Sequence, residues 1–217
     1  MTSLLLLQKC EMAFQGTALS LLLMIASTSA QMAVLRYGTE CPDPPVQQNF
    51  DIIRYMGKWF EYERFPNFFQ VGTRCVMANY TLQENAKVKV VNAAIEKYSV
   101  DSSACPWYRD RIAVGSAEAA DPAEPAKLGV RFNENAPAGK YWVIETDYDN
   151  YSVVYSCSPM SSMMQVFVET GWVLTRRKAE APANLDEIHE RLSQVGIDPS
   201  NFQLSDHESC PDWPTDD

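Results

Sequence analysis

The chain has 217 residues, of which 46% are hydrophobic, so it is long enough to bury the core of a single domain. Its formal net charge is -10 and it contains no run of Lys or Arg, which disfavours nucleic acid and other anionic partners. With two histidines and no closely spaced cysteines, the sequence predicts neither a metal site nor a cofactor.

A signal peptide is predicted at residues 1–30. Residues 18–26 form an apolar segment too short to cross a bilayer, and the small residues 28–30 provide a cleavage site before Gln31. We therefore expect a secreted, extracellular protein in which residues 31–217 form one domain. Cys10 falls in the signal peptide, so five of the six cysteines remain. Export favours disulfide bonds with one thiol left over, but the sequence alone leaves their pairing open.

Short runs of β-branched and aromatic residues follow Gly57 at roughly the 8–12-residue spacing that is typical of an all-β sandwich or barrel. Eight strands are predicted, at residues 57–65, 74–83, 87–98, 109–118, 127–134, 140–147, 150–158 and 163–176. We expect them to form an antiparallel up-and-down barrel, because closure removes the free edges of a sheet.

Alternation along these strands separates an outer face from an inner one. Outward positions are marked by a glycosylation sequon at Asn79 and by charged residues, namely Lys87, Lys89, Lys127, Arg131, Glu145 and Glu169. Residues of the opposite parity are expected to contact a ligand: Tyr80, Val90, Asn92, Val130, Phe132, Trp142, Ile144, Val168 and Trp172. Small inward residues such as Ala78, Ala94 and Thr170 favour a cavity, although a barrel of this size can also be packed solid.

Two sequons occur in the chain, Asn79-Tyr80-Thr81 and Asn150-Tyr151-Ser152. The first lies on an outward strand position and the second in a predicted turn between strands. Since both positions are accessible, we expect Asn79 and Asn150 to carry glycans in a secreted protein.

A helix is predicted after the last strand and ends at Gly196. Asn184 can cap it, and Glu187 can complete a capping box. Its apolar residues share one face, which we expect to pack on the outside of the barrel: Leu185, Ile188, Leu192 and Val195.

Three segments, Gly57-Lys58-Trp59, residues 146–151 and residues 172–176, resemble the lipocalin signature in their order and spacing. The resemblance extends from Cys41 to about Cys210. It implies that Arg176 packs over Trp59 and closes the bottom of the barrel through a cation–π contact. The residues to which it assigns a structural role are Gly57, Trp59, Thr146, Asp147 and Arg176.

The same resemblance implies disulfide bonds between Cys41 and Cys157 and between Cys75 and Cys210, with Cys105 unpaired. It also implies that the barrel binds and transports or sequesters a small hydrophobic ligand, such as a fatty acid, a sterol, a retinoid or a bilin. No enzymatic activity is expected. Glu61 and Glu63 are candidates for catalysis, as two carboxylates on one strand face, but neighbouring cations make ion pairs the better interpretation.

Two apolar clusters are expected at the open end of the barrel, in the connections after the first strand and before the last strand. They contain Phe68, Phe69, Met163 and Met164. Such residues either fold inward as a lid or contact a membrane or lipoprotein surface. Cys105 is expected at the same end, where it could form a disulfide-linked dimer or be shielded by its aromatic neighbours. This end is therefore the basis of the alternative hypothesis, a surface-interaction module.

Overall fold

The computed structural model describes residues 32–84, 86–98, 107–161 and 163–213. The predicted signal peptide and Cys105 lie outside these ranges. The strands are β1 (Val34–Tyr37), β2 (Gly57–Arg64), β3 (Thr73–Leu82), β4 (Val88–Tyr98), β5 (Trp107–Ala119), β6 (Lys127–Arg131), β7 (Gly139–Thr146), β8 (Tyr151–Ser161), β9 (Val166–Thr175) and β10 (Gln203–Leu204). The helices are α1 (Ile52–Tyr55) and α2 (Leu185–Gln194), with short 3₁₀ turns at Phe68–Gln70 and Pro199–Asn201. No helix in these ranges is long and apolar enough to cross a membrane.

Strands β2 to β9 form a closed antiparallel barrel. Each pairs with the next in sequence, and β9 pairs back with β2. The predicted eight-stranded barrel is therefore confirmed, and the strand bounds differ from the predicted ones by three residues or fewer. Two short strands extend the sheet, because β1 pairs with β9 and β10 pairs with β2.

The closed end of the barrel is built around Trp59, which is fully buried. The guanidinium of Arg176 lies 3.7 Å from the centroid of the indole, so the predicted cation–π contact is confirmed. Arg176 also donates hydrogen bonds to the backbone carbonyls of Arg54, Lys58 and Tyr148, each at 2.9 Å. The guanidinium therefore joins three separate segments beneath the barrel.

The turn between β7 and β8 gives Thr146 and Asp147 their structural roles. The Asp147 carboxylate accepts hydrogen bonds from the backbone N–H groups of Asp149, Asn150 and Tyr151. Although burial alone would raise the pKa of Asp147, these bonds lower it below its ordinary value. The Thr146 hydroxyl donates to the Tyr151 carbonyl and accepts from the Tyr148 N–H. Together these bonds fix the turn beside Arg176.

Two disulfide bonds attach the terminal segments to the barrel wall. Cys41 is joined to Cys157 of β8, and Cys75 of β3 is joined to Cys210. Both pairings implied by the lipocalin resemblance are confirmed. Cys75 faces outward and packs against Trp213, which agrees with its predicted orientation.

Helix α2 packs on the outer wall, as predicted. Ile188 and Leu192 are buried against β8 residues such as Tyr155 and Cys157. The predicted capping box is wrong, because the Asn184 side chain makes no capping hydrogen bond. Its amide instead donates to the Tyr151 hydroxyl, and this tertiary contact competes with the local cap.

The predicted orientation of Trp142 and Ile144 is also wrong. Both face the outer wall: the Lys127 and Lys140 ammonium groups lie over the Trp142 ring, and Ile144 packs in the cluster beneath α2. The cause is a bulge in β7, where the register with β8 shifts between Val143 and Glu145. A bulge inserts one unpaired residue and reverses the alternation on one side of it.

Candidate ligand-binding site

The barrel encloses a cavity of about 700 Å³, which is open at the end opposite Trp59. Its wall is mainly apolar, and every barrel strand contributes to it. Seven of the nine residues predicted to contact a ligand line the cavity: Tyr80, Val90, Asn92, Val130, Phe132, Val168 and Trp172. The other two are Trp142 and Ile144, whose places are taken by Gly139 and Tyr141 of the same strand. A hollow interior is therefore observed, not a packed one.

Sequence reasoning missed several residues of the cavity wall. Tyr141 was missed because the bulge in β7 is not visible as a pattern. Tyr55 and Met56 belong to α1 and its end, outside the predicted strands, yet they form part of the floor. Met77 also borders the cavity, although its side chain packs in the outer cluster with Cys75 and Trp213.

Four hydroxyl groups form a hydrogen-bonded chain at the floor of the cavity. Ser152 bonds to Tyr55 at 2.9 Å, Tyr55 to Tyr141 at 3.0 Å, and Tyr141 to Tyr80 at 2.9 Å. The rings also pack together, since Tyr55 and Tyr80 are stacked with centroids 5.8 Å apart. The chain connects the buried closed end with the ligand space above it.

Burial makes these tyrosines hard to ionise. It raises the pKa of Tyr55 from the ordinary value of 10.0 to about 12, against the smaller opposing effect of its hydrogen bonds. Burial also raises the pKa of Tyr80 and of Tyr141, and the neighbouring Tyr55 raises both further. The floor is therefore a neutral, hydrogen-bonding surface at physiological pH.

This floor predicts a loss of stability at alkaline pH. A raised folded-state pKa means that the contribution of Tyr55 is complete below pH 10 and is lost as the pH rises through about 12. We expect the free energy of unfolding, measured by urea denaturation, to fall by about 2–3 kcal/mol over this range from Tyr55 alone. In a Tyr55→Phe variant the decline should be smaller, and an identical decline would contradict the assignment.

Asn92 lies in the cavity wall, where it is predicted to make a polar contact with the ligand. Its Oδ1 atom is buried and has no hydrogen-bond partner among the described residues. A buried carbonyl oxygen without a partner is uncommon in folded proteins. Since a 180° rotation exchanges the oxygen and nitrogen of an amide, Asn92 can offer either a donor or an acceptor to a ligand.

Gln70 organises the wall at the cavity mouth. Its Nε2 donates to the Glu61 carboxylate at 2.6 Å, while its Oε1 accepts from Asn67 at 2.7 Å and from the Trp172 indole at 3.1 Å. These bonds hold the connection between β2 and β3 against β9 and set the orientation of Trp172. Glu61 is also paired with Arg64, so its charge is neutralised within the wall.

The prediction that Glu61 and Glu63 share one strand face is wrong. A register shift in β2 between them places Glu61 in the cavity wall and Glu63 on the outer wall, where it bonds to His189 of α2. His189 also stacks on Phe202, so it is half-buried instead of lying free on the surface. The two carboxylates therefore have separate partners, Arg64 for Glu61 and His189 for Glu63, and do not form an acid–base pair.

The apolar residues predicted at the open end are exposed. Met163 is 94% exposed and Met164 69%, while Phe68 and Phe69 are about half exposed. Phe69 also lines the cavity, with its ring 6.4 Å from that of Trp172. Phe69 thus forms part of a lid, whereas Met163 and Met164 remain in solvent.

Comparison with known proteins agrees with this geometry. A family described as a lipocalin-like domain matches residues 50–207. Apolipoprotein D of Cavia porcellus is 36% identical over 200 residues, which cover 91% of this chain and 99% of that protein. The chain therefore belongs to the lipocalin family, and the resemblance found in the sequence is confirmed.

More distant relatives come from insects. The Lazarillo protein of Schistocerca americana is 28% identical over 88% of this chain and 83% of its own length. The bilin-binding protein of Pieris brassicae is 30% identical over 72% of this chain and 78% of its own length. Among solved structures, insecticyanin from Manduca sexta shares the fold, with a TM-score of 0.67 at 22% identity over 82% of this chain and 90% of that one.

Proposed function

We propose that this lipocalin is a secreted carrier that binds one small hydrophobic molecule in the barrel and transports or sequesters it. The observation that carries the proposal is the apolar cavity of about 700 Å³, which lies in the size range of small-molecule sites. Fatty acids, sterols, retinoids and bilins are the ligand classes we consider, and a relative named as a bilin-binding protein supports the last of them. Binding, without any reaction, is the role proposed.

The hydroxyl chain at the floor supports one directional contact with such a ligand. Four hydroxyls share three hydrogen bonds, so one of their four protons is not used within the chain. Ser152 is fully buried, and among the described residues its hydroxyl contacts only Tyr55. If each hydroxyl donates to the next, from Ser152 through Tyr55 and Tyr141 to Tyr80, the Tyr80 proton is left for the cavity. Tyr80 would donate to a ligand oxygen, and Asn92 would supply a second polar contact.

Replacing Trp172 by alanine tests the cavity directly. We expect binding of a fluorescent apolar probe to weaken about tenfold, which corresponds to the loss of roughly 55 Å² of apolar contact at about 25 cal/mol per Å². Phe132→Ala should act in the same direction with a smaller effect, because Phe132 is half exposed at the mouth. The matched control is Trp142→Ala, whose indole lies on the outer wall. Equal affinities for wild type, Trp172→Ala and Phe132→Ala, with unchanged circular dichroism, would contradict the proposed site.

The alternative proposal is a module that contacts a lipoprotein or membrane surface through the open end. The exposure of Met163 and Met164, together with the half-exposed Phe68 and Phe69, supports it. A disulfide-linked dimer through Cys105 belongs to the same alternative. Native mass spectrometry of protein purified from its source discriminates the two, because a retained apolar ligand supports the carrier and a disulfide-linked partner supports the module.

A secreted protein can also be glycosylated at its two sequons. We propose that Asn79 and Asn150 carry N-linked glycans. Asn79 lies on the outer face of β3, because its neighbour Tyr80 lines the cavity, and Asn150 lies in the turn before β8. Both positions are reached from solvent in the folded barrel.

A further inference from the structure

An apolar patch lies on the outer wall of the barrel, away from the open end described above. Ile112 and Val114 of β5 are 60% and 56% exposed, and Val91 of β4 lies beside Val114 in the pairing register. Their sequence neighbours Asn92 and Ala113 line the cavity, so alternation directs these three side chains outward. We call Val91, Ile112 and Val114 the β4–β5 patch. Exposed β-branched residues in a cluster favour association with another surface.

The sequon asparagine lies in the same cross-strand row as this patch. Asn79 of β3 pairs with Val91, and Val91 pairs with Val114. Since neighbouring strands lie about 4.8 Å apart, the Cα atom of Val91 is roughly 5 Å from that of Asn79, and that of Val114 is roughly 10 Å away. A group attached to Asn79 therefore reaches the patch within the length of its first few sugar units.

The Asn79 side chain is free to carry such a group. It is partly exposed, and its amide has no hydrogen-bond partner among the described residues. By contrast, the Asn150 amide nitrogen donates to the Asp147 carboxylate at 2.7 Å. A substituent on Asn79 consequently disturbs no bond of the folded protein.

We propose that an N-linked glycan on Asn79 lies across the β4–β5 patch and prevents self-association through this wall of the barrel. The inference rests on the glycosylation proposed above. In the modification, a bond forms between Asn79 Nδ2 and C1 of the first N-acetylglucosamine. The bond from C1 to the diphosphate of the lipid-linked donor breaks, and the amide loses one proton.

A tethered glycan suits this patch better than a free partner. Sugar rings present apolar C–H groups on one face and hydroxyls on the other, so one side can cover valine and isoleucine while the other stays hydrated. Because the glycan is attached one strand away, its effective concentration at the patch is of millimolar order. Weak contacts are then sufficient to keep the patch covered.

The test uses full-length protein secreted from animal cells, with Cys105→Ser in every variant so that disulfide dimers do not interfere. Sedimentation equilibrium is measured for the parent, for Asn79→Gln and for the matched control Asn150→Gln. We expect the parent and the control to stay monomeric. Asn79→Gln should dimerise, with a dissociation constant for the dimer at least about tenfold lower than that of the parent. Adding Ile112→Thr and Val114→Thr to Asn79→Gln should restore the monomer.

Three results would overturn the inference: an intact mass that shows no glycan on Asn79, a monomeric Asn79→Gln variant, or association that persists after both threonine substitutions. If Asn79→Gln is not secreted, enzymatic deglycosylation of the folded Asn150→Gln variant, in which Asn79 is the remaining sequon, gives the same comparison. Affinity for the apolar probe is measured in parallel. Failure of the parent to bind the probe contradicts the carrier function, whereas the sedimentation results alone decide the role of the glycan.

Discussion

Replacing Cys75 and Cys210 together by alanine should lower the free energy of unfolding by about 5 kcal/mol. The bridge spans 135 residues, and in the chain-entropy model closing a loop of this length removes about that much conformational freedom from the unfolded state. The figure is an upper one, because strain in the native state subtracts from it. Loss of the bridge also frees the segment that carries Trp213 and Ser205, which contact Cys75 and Glu61. Urea denaturation measures the change.

The second bridge provides an internal comparison. Cys41 and Cys157 are 116 residues apart, so the same model predicts a nearly equal loss for their double alanine variant. Cys105→Ser removes a thiol but neither bridge, and we expect it to change stability by less than about 0.5 kcal/mol. A loss below about 1 kcal/mol for either bridge would show that the entropic argument does not apply here.

Replacing Arg176 by methionine should lower the free energy of unfolding by about 3 kcal/mol. Methionine keeps an apolar chain over Trp59 but removes the cation–π contact and leaves three carbonyl groups without their donor. Because those carbonyls belong to Arg54, Lys58 and Tyr148, the change loosens the whole closed end. Thermal and urea unfolding measure the effect.

Arg177→Met is the matched control. Arg177 is the next residue, but its side chain is 67% exposed and forms a surface ion pair with Glu180. Such pairs contribute about 0–1 kcal/mol. Equal losses for the two variants would contradict the role assigned to Arg176 and would indicate that charge alone, not position, accounts for the effect.

Strand alternation predicts which side chains face the cavity only where the strands pair in regular register. In β4 and β6 the pattern of outward lysines and arginines predicted the inward positions of Val90, Asn92 and Val130, because these residues lie where both strands pair in regular register with their neighbours. In β7 the same reasoning failed for Trp142 and Ile144, since one extra residue at the bulge reverses the parity.

Bulges also explain the other errors of orientation. Glu61 and Glu63 are two residues apart and would share a face in a regular strand, but the shift in β2 places them on opposite walls. A bulge is stabilised by contacts with neighbouring strands and loops, such as the pairing of Glu61 with Arg64 and Gln70, and these contacts are distant from any local pattern.

The sequence by itself determined that eight short strands form a barrel and that a helix packs outside it. These features depend on the alternation of residue types over a few neighbours and on the spacing of turns. Through its resemblance to lipocalins, the sequence also indicated the Trp59–Arg176 contact and both disulfide bonds. Only the tertiary structure decided which face Trp142, Ile144, Glu61 and Glu63 occupy. It alone revealed the hydroxyl chain that joins Tyr55, Tyr80, Tyr141 and Ser152, because these residues lie on four elements that meet only when the barrel closes.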